Sequence, residues 1–193
     1  METKNIMIVG VGGQGSLLAS KLLGRLLLNR GYDVKVSEVH GMSQRGGSVV
    51  TYVRFGEKVA SPVIDRGEAD VLLSFELLEA ARWTSYLKRG GKIITNTQKT
   101  NPMPVITGAA VYPEKLVEKM QAKGLDVDAI DALSLAVEAG TAKAVNIVLM
   151  GRLSKSFDFT QEEWDTALEQ SVPAKFLELN RKAIEAGFEH GRK

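Results

Sequence analysis

A glycine-rich segment near the start of the chain has the residue types that bind phosphate. Residues 10–15 read G-V-G-G-Q-G, which satisfies the pattern G-x-G-x-x-G, and they lie between an apolar run and a helical pattern. Glycines allow a tight turn, and the following helix offers free N–H groups and a partial positive charge. The predicted nucleotide- or diphosphate-binding residues are Gly12, Gly13, Gln14 and Gly15. A purely structural role, in which the glycines only let the helix pack closely on the strand, stays open.

A second polar segment with three glycines, H-G-M-S-Q-R-G-G over residues 40–47, follows the second predicted strand. Loops at the carboxyl ends of strands carry ligands in open α/β sheets. An arginine there can bind a carboxylate or phosphate through two hydrogen bonds, and paired glycines let the backbone approach a ligand. The predicted binding residues of this segment are Ser43, Gln44, Arg45, Gly46 and Gly47. For Arg45 alone, a surface ion pair is the alternative.

The sequence predicts no catalytic residue. Histidine suits proton transfer near neutral pH, yet a single one beside a glycine loop, such as His40, is more often a hydrogen-bonded structural group. Glu38 ends the second predicted strand, where an acidic residue can bind the ribose of a dinucleotide. The first glycine segment and Glu38 therefore leave a stand-alone NAD(P)-dependent dehydrogenase open, although no acid–base constellation follows further along the chain.

The composition excludes several kinds of chemistry. The 193 residues include no cysteine, so the chain supplies no disulfide, no thiol nucleophile and no thiolate ligand for an iron–sulfur cluster. Lys and Arg number 25 against 23 Asp and Glu, and this net charge of +2 is too small to indicate nucleic-acid binding. Neither an export signal nor a membrane-spanning apolar run is visible, so we expect a cytoplasmic protein without a membrane partner.

The elements that position these segments alternate between strands and helices. Strands are predicted at residues 6–9, 33–39, 48–55, 69–74, 92–95 and 125–130, and helices at residues 16–28, 76–87, 113–123 and over most of the chain after residue 141. A turn at residues 56–57 predicts a hairpin between residues 48–55 and 58–61. We therefore expect an α/β fold, a Rossmann-like three-layer domain over residues 1–193 with a mixed, mostly parallel sheet and a helical C-terminal part.

The two glycine segments together resemble the gamma-type domain of the 2-oxoacid:ferredoxin oxidoreductases, also called the pyruvate/ketoisovalerate oxidoreductase catalytic domain. The resemblance rests on G-V-G-G-Q-G at residues 10–15 and E-V-H-G-M-S-Q-R-G-G at residues 38–47. Shorter matches lie at residues 61–62, 67–73, 75–76, 79–80, 112–113 and 146–151, so the resemblance covers most of the chain. The form H-G-M-S-Q-R-G-G is similar to the sequence of this segment in the indolepyruvate branch of that family.

The resemblance implies a subunit of an enzyme complex. In that family a 2-oxoacid such as indolepyruvate is oxidatively decarboxylated on thiamine diphosphate and captured by coenzyme A, and ferredoxin receives the electrons. A large alpha subunit is expected to carry the thiamine diphosphate, its magnesium and the iron–sulfur clusters, so this chain alone should be inactive. Coenzyme A could place its diphosphate on the first glycine segment or against Arg45, or the two segments could only shape the subunit contact.

Two other interpretations stay open beside this one. A non-catalytic nucleotide-binding or scaffold module would need only the first glycine segment. The doubled glycine is also similar to the turn of the enzymes that adenylate ubiquitin-like proteins, but those enzymes generally work with cysteines, which this chain lacks.

Overall fold

The computed structural model describes residues 2–40 and 47–190, and a six-stranded sheet forms the centre of this part of the chain. Its strands are β1 (Lys4–Val11), β2 (Asp33–His40), β3 (Ser48–Gly56), β4 (Ala69–Ser74), β5 (Leu87–Asn96) and β6 (Asp126–Ile130). They are ordered β2-β3-β1-β4-β5-β6 across the sheet. Because β1 is an inner strand, the glycine segment that follows it leaves the sheet near its middle.

Within the described residues, the sheet is mixed because one strand, β3, is antiparallel to its neighbours. β1, β4, β5 and β6 pair in parallel, whereas β3 runs antiparallel to both of its neighbours, β1 and β2. β1 and β2 are joined by a helix, as a βαβ unit requires, but β3 is inserted between them. The predicted fold class is confirmed.

The predicted hairpin between residues 48–55 and 58–61 is wrong, because residues 58–61 form no strand. β3 is paired along both of its edges, by β1 and by β2, so residues 58–61 have no free edge of β3 with which to pair. Two contacts hold this stretch elsewhere. The backbone N–H of Val59 donates to the carboxylate of Asp33 at 2.8 Å, which uses a group that a ladder would need. The side chains of Val59 and Ile64 are buried, so the segment after β3 packs into the core.

Within the described ranges, eight α-helices surround the sheet. They are α1 (Ser16–Asn29), α2 (Leu77–Arg82), α3 (Met103–Ile106), α4 (Leu116–Ala122), α5 (Ala132–Ala139), α6 (Val145–Phe157), α7 (Gln161–Ser171) and α8 (Leu177–Glu189). The helix predicted over residues 76–87 is shorter, because β5 already begins at Leu87. The helical C-terminal part is confirmed, and Thr160 and Glu163 form a capping box at the start of α7.

The core lies on both faces of the sheet, so the fold has three layers. Successive residues of β1 point to opposite faces: Ile6 and Ile8 pack with α1 and the C-terminal helices, whereas Met7 and Val9 pack with α2 and α4. All four side chains are fully buried. This burial on both faces explains why the strand is a continuous apolar run.

No helix in the described part of the chain is both long and apolar enough to cross a membrane.

Candidate functional site

The first glycine segment forms a turn between β1 and α1. Gly13 and Gly15 have φ angles of 97° and 83°, in the left-handed region that glycine adopts without strain. Gly15 is the N-cap of α1, and no side chain caps the backbone there. The first N–H groups of α1 are therefore directed at the turn without a side-chain acceptor, as an anion site on a helix N-terminus requires.

The side chain of Gln14 holds this turn against the sheet. Its Oε1 accepts from the backbone N–H of Val11 at 2.8 Å, and its Nε2 donates to the carbonyl of Phe75 at 3.2 Å. A Cβ at Gly10 would lie only 2.6 Å from Oε1, so Gly10 is needed to let the amide fold inward. Gln14 is the one predicted turn residue that is not glycine, and its side chain hydrogen-bonds to Val11 and Phe75 of the protein itself.

A helix far along the chain also supports the turn. Asn146, in the first turn of α6, donates from Nδ2 to the carbonyl of Gly15 at 3.1 Å and is only 3% exposed. A Cβ at Gly15 would lie 2.6 Å from that same nitrogen, so glycine is required by close approach as well as by φ. Sequence reasoning assigned Asn146 no such role. A polar residue inside the apolar run of residues 144–151 was the available signal.

A small cleft of about 230 Å³ opens beside the turn. It is lined by Gly12, Gly13, Gly15, Ser16, Leu17, Glu38 and Val49. Three of the four predicted turn residues therefore line one cleft. Its volume is below the roughly 300–1,000 Å³ of typical small-molecule sites. The described residues leave room for a phosphate-sized group, but they do not enclose a whole nucleotide cofactor.

Glu38 brings a carboxylate to this cleft. Its Oε2 accepts hydrogen bonds of 3.3 Å from the hydroxyls of Ser16, at the start of α1, and Thr51, on β3. A helix N-terminus carries about half a positive charge, whereas the carboxylate carries a full negative one. The described cleft therefore favours a hydroxyl or a cation over a bare phosphate, and a phosphate there needs a further positive group.

The second glycine segment is adjacent to the first. Ser43, Gln44, Arg45 and Gly46 lie outside the described residues, but Gly47 is described. The backbone N–H of Gly12 donates to the carbonyl of Gly47 at 2.9 Å, so the structure joins the two segments directly. Arg45, the predicted carboxylate- or phosphate-binding residue, is two residues before Gly47 in the sequence.

Two buried glutamates, one just before α2 and one in its first turn, lie at the same edge of the sheet. Glu79 is 2% exposed, and its carboxylate accepts from the hydroxyl of Ser48 at 2.5 Å, from the indole of Trp83 and from Arg82. It therefore fixes the residue that follows the second glycine segment. Sequence reasoning noted the glutamates only as family matches. For Glu76, which caps α2, the available signal was its position between a buried strand and a helical pattern.

The other glutamate, Glu76, is 1% exposed and caps α2. Its carboxylate accepts from the backbone N–H groups of Glu79 and Thr100, at 2.9 and 3.0 Å, and from the hydroxyl of Tyr112 at 2.6 Å. Burial and this hydrogen bond raise the pKa of Tyr112 above its ordinary value. The phenol therefore stays a hydrogen-bond donor to the carboxylate throughout the physiological range.

The described residues do not fit a metal centre or an iron–sulfur cluster. Residues 2–40 and 47–190 contain no group of three or more His, Cys, Asp or Glu side chains placed to hold a metal ion. The whole sequence has no cysteine, so it supplies no thiolate ligand for a cluster. Any cluster chemistry associated with this chain requires ligands from another subunit.

The fold is that of a Rossmann-like α/β protein with a mixed sheet, in which the first glycine segment is hydrogen-bonded to Gly47 at the end of the second. A model of the pyruvate ferredoxin/flavodoxin oxidoreductase family matches residues 5–190. The chain belongs to this family, and the family expected from the two segments is confirmed.

Individual relatives agree with this assignment over nearly the whole chain. Subunit IorB of indolepyruvate oxidoreductase from Thermococcus kodakarensis is 46% identical over 194 residues, which cover 97% of this chain and 95% of that protein. The same subunit from Pyrococcus horikoshii is 45% identical over 195 residues, with 97% and 95% covered. The crystal structure of pyruvate oxidoreductase subunit PORC from Thermotoga maritima superimposes with a TM-score of 0.75 at 20% identity, covering 98% of this chain and 97% of that one. The superposition supports the fold.

Proposed function

We propose that this chain is the small subunit of a ferredoxin-dependent 2-oxoacid oxidoreductase that acts on indolepyruvate and other aryl pyruvates. The observation that carries the proposal is the 46% identity to an indolepyruvate oxidoreductase subunit over 97% of the chain. In the proposed reaction the 2-oxoacid loses carbon dioxide, two electrons pass to ferredoxin, and the acyl group forms a thioester with coenzyme A. Residues 1–193 would form one gamma-type domain of a cytoplasmic complex.

The proposal divides the chemistry between two subunits. Thiamine diphosphate, its magnesium and the iron–sulfur clusters are placed on a large alpha subunit, which also meets ferredoxin. The composition supports this division, because a chain without cysteine cannot ligate a cluster. The isolated small subunit is then inactive, and its role is to complete the complex.

Co-expression with the large subunit tests this function. The two chains should co-purify as a brown complex that reduces a low-potential dye when indolepyruvate and coenzyme A are both present. Omission of either chain should abolish the activity, and pyruvate should be a poorer substrate than indolepyruvate. A complex that forms but shows no coenzyme A-dependent reduction with any aryl pyruvate would contradict the proposal.

We further propose that the two glycine segments contribute to the binding of coenzyme A. The free N–H groups at the start of α1 and the guanidinium of Arg45 would bind its diphosphate, while the partner encloses the rest of the molecule. The small volume of the cleft supports a shared site, because the described residues accommodate only part of such a ligand. Glu38 opposes this binding through its negative charge.

Two substitutions with opposite expected effects on the KM for coenzyme A test this proposal in the assembled complex. Arg45→Ala should raise the KM for coenzyme A about tenfold, because a charge-assisted hydrogen bond to phosphate is lost. Glu38→Gln should lower that KM severalfold, because a like charge is removed at unchanged size. The KM for indolepyruvate serves as the internal control and should not change. Unchanged KM values for coenzyme A in both variants would remove these residues from its site.

The geometry does not favour a stand-alone NAD(P)-dependent dehydrogenase. In the dinucleotide-binding fold the second strand lies next to the first, whereas here β3 separates β1 from β2. Glu38 therefore reaches the turn across an inserted strand and is already bonded to Ser16 and Thr51. Specific binding of NAD by the purified chain, seen as a saturable fluorescence change, would restore that interpretation.

A further inference from the structure

An exposed apolar segment projects from the same edge of the sheet. Residues 101–111, here called the arm, lie within the connection between β5 and α4 and include the short helix α3. Met103, Ile106 and Val111 are 66%, 65% and 86% exposed, and no residue of the arm is buried. Single exposed apolar residues are ordinary on protein surfaces, but a continuous exposed apolar segment marks an interaction site.

The arm has a defined shape of its own. The backbone N–H of Ile106 donates to the carbonyl of Pro102 at 3.1 Å, and the N–H of Ala110 donates to the carbonyl of Pro104 at 2.9 Å. The hydroxyl of Thr107 donates to the carbonyl of Met103 at 3.0 Å. These local bonds hold the backbone of the arm in one shape, which lowers the entropy cost of binding.

One buried carboxylate oxygen anchors both ends of the arm. Oε1 of Glu76 accepts from the backbone N–H of Thr100, just before the arm, and from the hydroxyl of Tyr112, just after it. The preceding residue, Phe75, accepts through its carbonyl from Gln14 of the glycine turn. The arm is therefore attached beside the candidate site, and a partner that reaches one also meets the other.

The charge pattern of the arm is that of an interface core. Residues 100–113 contain no Asp, Glu, Lys, Arg or His, although 25% of the chain is charged. The longer uncharged stretch at residues 5–20 includes the strand β1 and the glycine turn, and burial explains the composition only of its residues 5–10, 19 and 20. In the arm burial cannot explain it, because every residue is at least partly exposed. Charge depletion on an exposed surface is typical of the centre of a protein interface.

The exposed apolar area of the arm indicates what kind of partner can cover it. Its three large apolar residues expose on the order of 400 Å², about half of the roughly 800 Å² that each partner contributes to a standard interface. Two copies of this chain that met only through their arms would bury too little for a stable dimer. A larger partner can bind the arm and the neighbouring glycine-turn edge together, and so reach the required area.

We infer that the arm inserts into an uncharged, apolar groove of the large subunit and holds the candidate site against it. This inference rests on the proposed function, which supplies the large subunit. The arm is then the apolar part of the subunit contact, and the first glycine segment is the polar part. A second copy of this chain as the occupant is an outcome that the experiment distinguishes.

The test places charges on the arm of the full chain and measures association with the large subunit. The double substitution Met103→Asp with Ile106→Asp should raise the apparent dissociation constant at least about 100-fold, because two interface-core side chains become charged. Val63→Asp is the matched control, because Val63 is 52% exposed and lies close to Arg54 near the opposite edge of the sheet. The control should associate like the unmodified chain, and both variants should keep its melting temperature.

Each other outcome overturns the inference in a recognisable way. Unchanged affinity of the double variant removes the arm from the interface, and equal weakening by the control shows a general effect of added charge. If the unmodified chain does not bind the large subunit, the proposed function fails as well. Sedimentation of the isolated chain provides the last measurement. A dimer that the double substitution dissociates would identify a second copy of this chain as the occupant.

Discussion

Two glycines let α6 and α8 cross at close range, and their replacement is the sharpest test of the packing. A Cβ at Gly187 of α8 would lie 1.9 Å from the carbonyl oxygen of Val148, and a Cβ at Gly151 of α6 would lie 2.1 Å from the carbonyl oxygen of Ile184. The obstacle is backbone in both cases, so no side chain can rotate away. We predict that Gly187→Ala destabilises the protein although alanine favours a helix.

The expected magnitude follows from two opposing terms. A carbon and a carbonyl oxygen approach to about 3.3 Å, so the contact at Gly187 must open by about 1.4 Å. Forcing such overpacking costs about 3 kcal/mol at the upper end of measured values. The higher helix propensity of alanine returns about 1 kcal/mol. The net loss of about 2 kcal/mol corresponds to a fall in Tm of roughly 4–8 °C for a chain of this length.

Gly24 of α1 supplies the matched control, since it is also a buried glycine inside a helix. A Cβ there would meet only Cγ2 of Val36, at 4.0 Å, which is ordinary contact. Gly24→Ala should therefore stabilise the protein by up to about 1 kcal/mol through helix propensity alone. Thermal unfolding of both variants, followed by circular dichroism, measures the difference. If Gly187→Ala melts at or above the unmodified chain, the close crossing of α6 and α8 is wrong.

Two further predictions concern the helical layer. Hydrogen bonds from Arg30 lower the pKa of Glu163 below its ordinary value of 4.5. Its stabilising effect is therefore present above that pH and lost as the pH falls through the lower folded-state pKa, so Glu163→Gln should cost about 1 kcal/mol or less at pH 7 and nothing in acid. Equal differences in denaturant midpoint at both pH values would contradict this. Trp164 donates from its indole to the hydroxyl of Ser154 at 2.7 Å, so Trp164→Phe should cost about 2–4 kcal/mol. Adding Ser154→Ala should restore part of this loss in the same denaturant titration, and a further loss would refute the reasoning.

The sequence predicted the layers of the fold because local patterns carry that information. The apolar run at residues 6–9 and the helical spacing after Ser16 each reflect burial of one element, and both were placed correctly. The capping box at Thr160 was equally readable, because its two hydrogen bonds join residues only three apart. Elements whose pattern follows from their own burial are predictable one at a time.

The strand order was not predictable in the same way. β3 has the β-branched composition of any strand, and nothing local shows that it enters between β1 and β2. The error at residues 58–61 has the same origin, since the bond from Val59 to Asp33 joins residues that are 26 apart in sequence. Likewise, the support of Gly15 by Asn146 spans 131 residues. Contacts of this range depend on topology, which a single sequence does not display.

The residues that follow β4, from Phe75 to Glu79, explain why charged side chains are buried at this edge. The carbonyl of Phe75 accepts from Gln14, the carboxylate of Glu76 holds both ends of the arm, and the carboxylate of Glu79 holds Ser48 after the second glycine segment. A carboxylate has two oxygens and accepts several hydrogen bonds at once, so it can collect donors from segments that are distant in sequence. Leaving such a group buried without donors would be costly, so the donors must stay in place for the fold to be stable. The glycine turn, Ser48 at the start of β3 and the arm are therefore held relative to one another by residues 75–79, and a partner that contacts this edge meets all three in one arrangement.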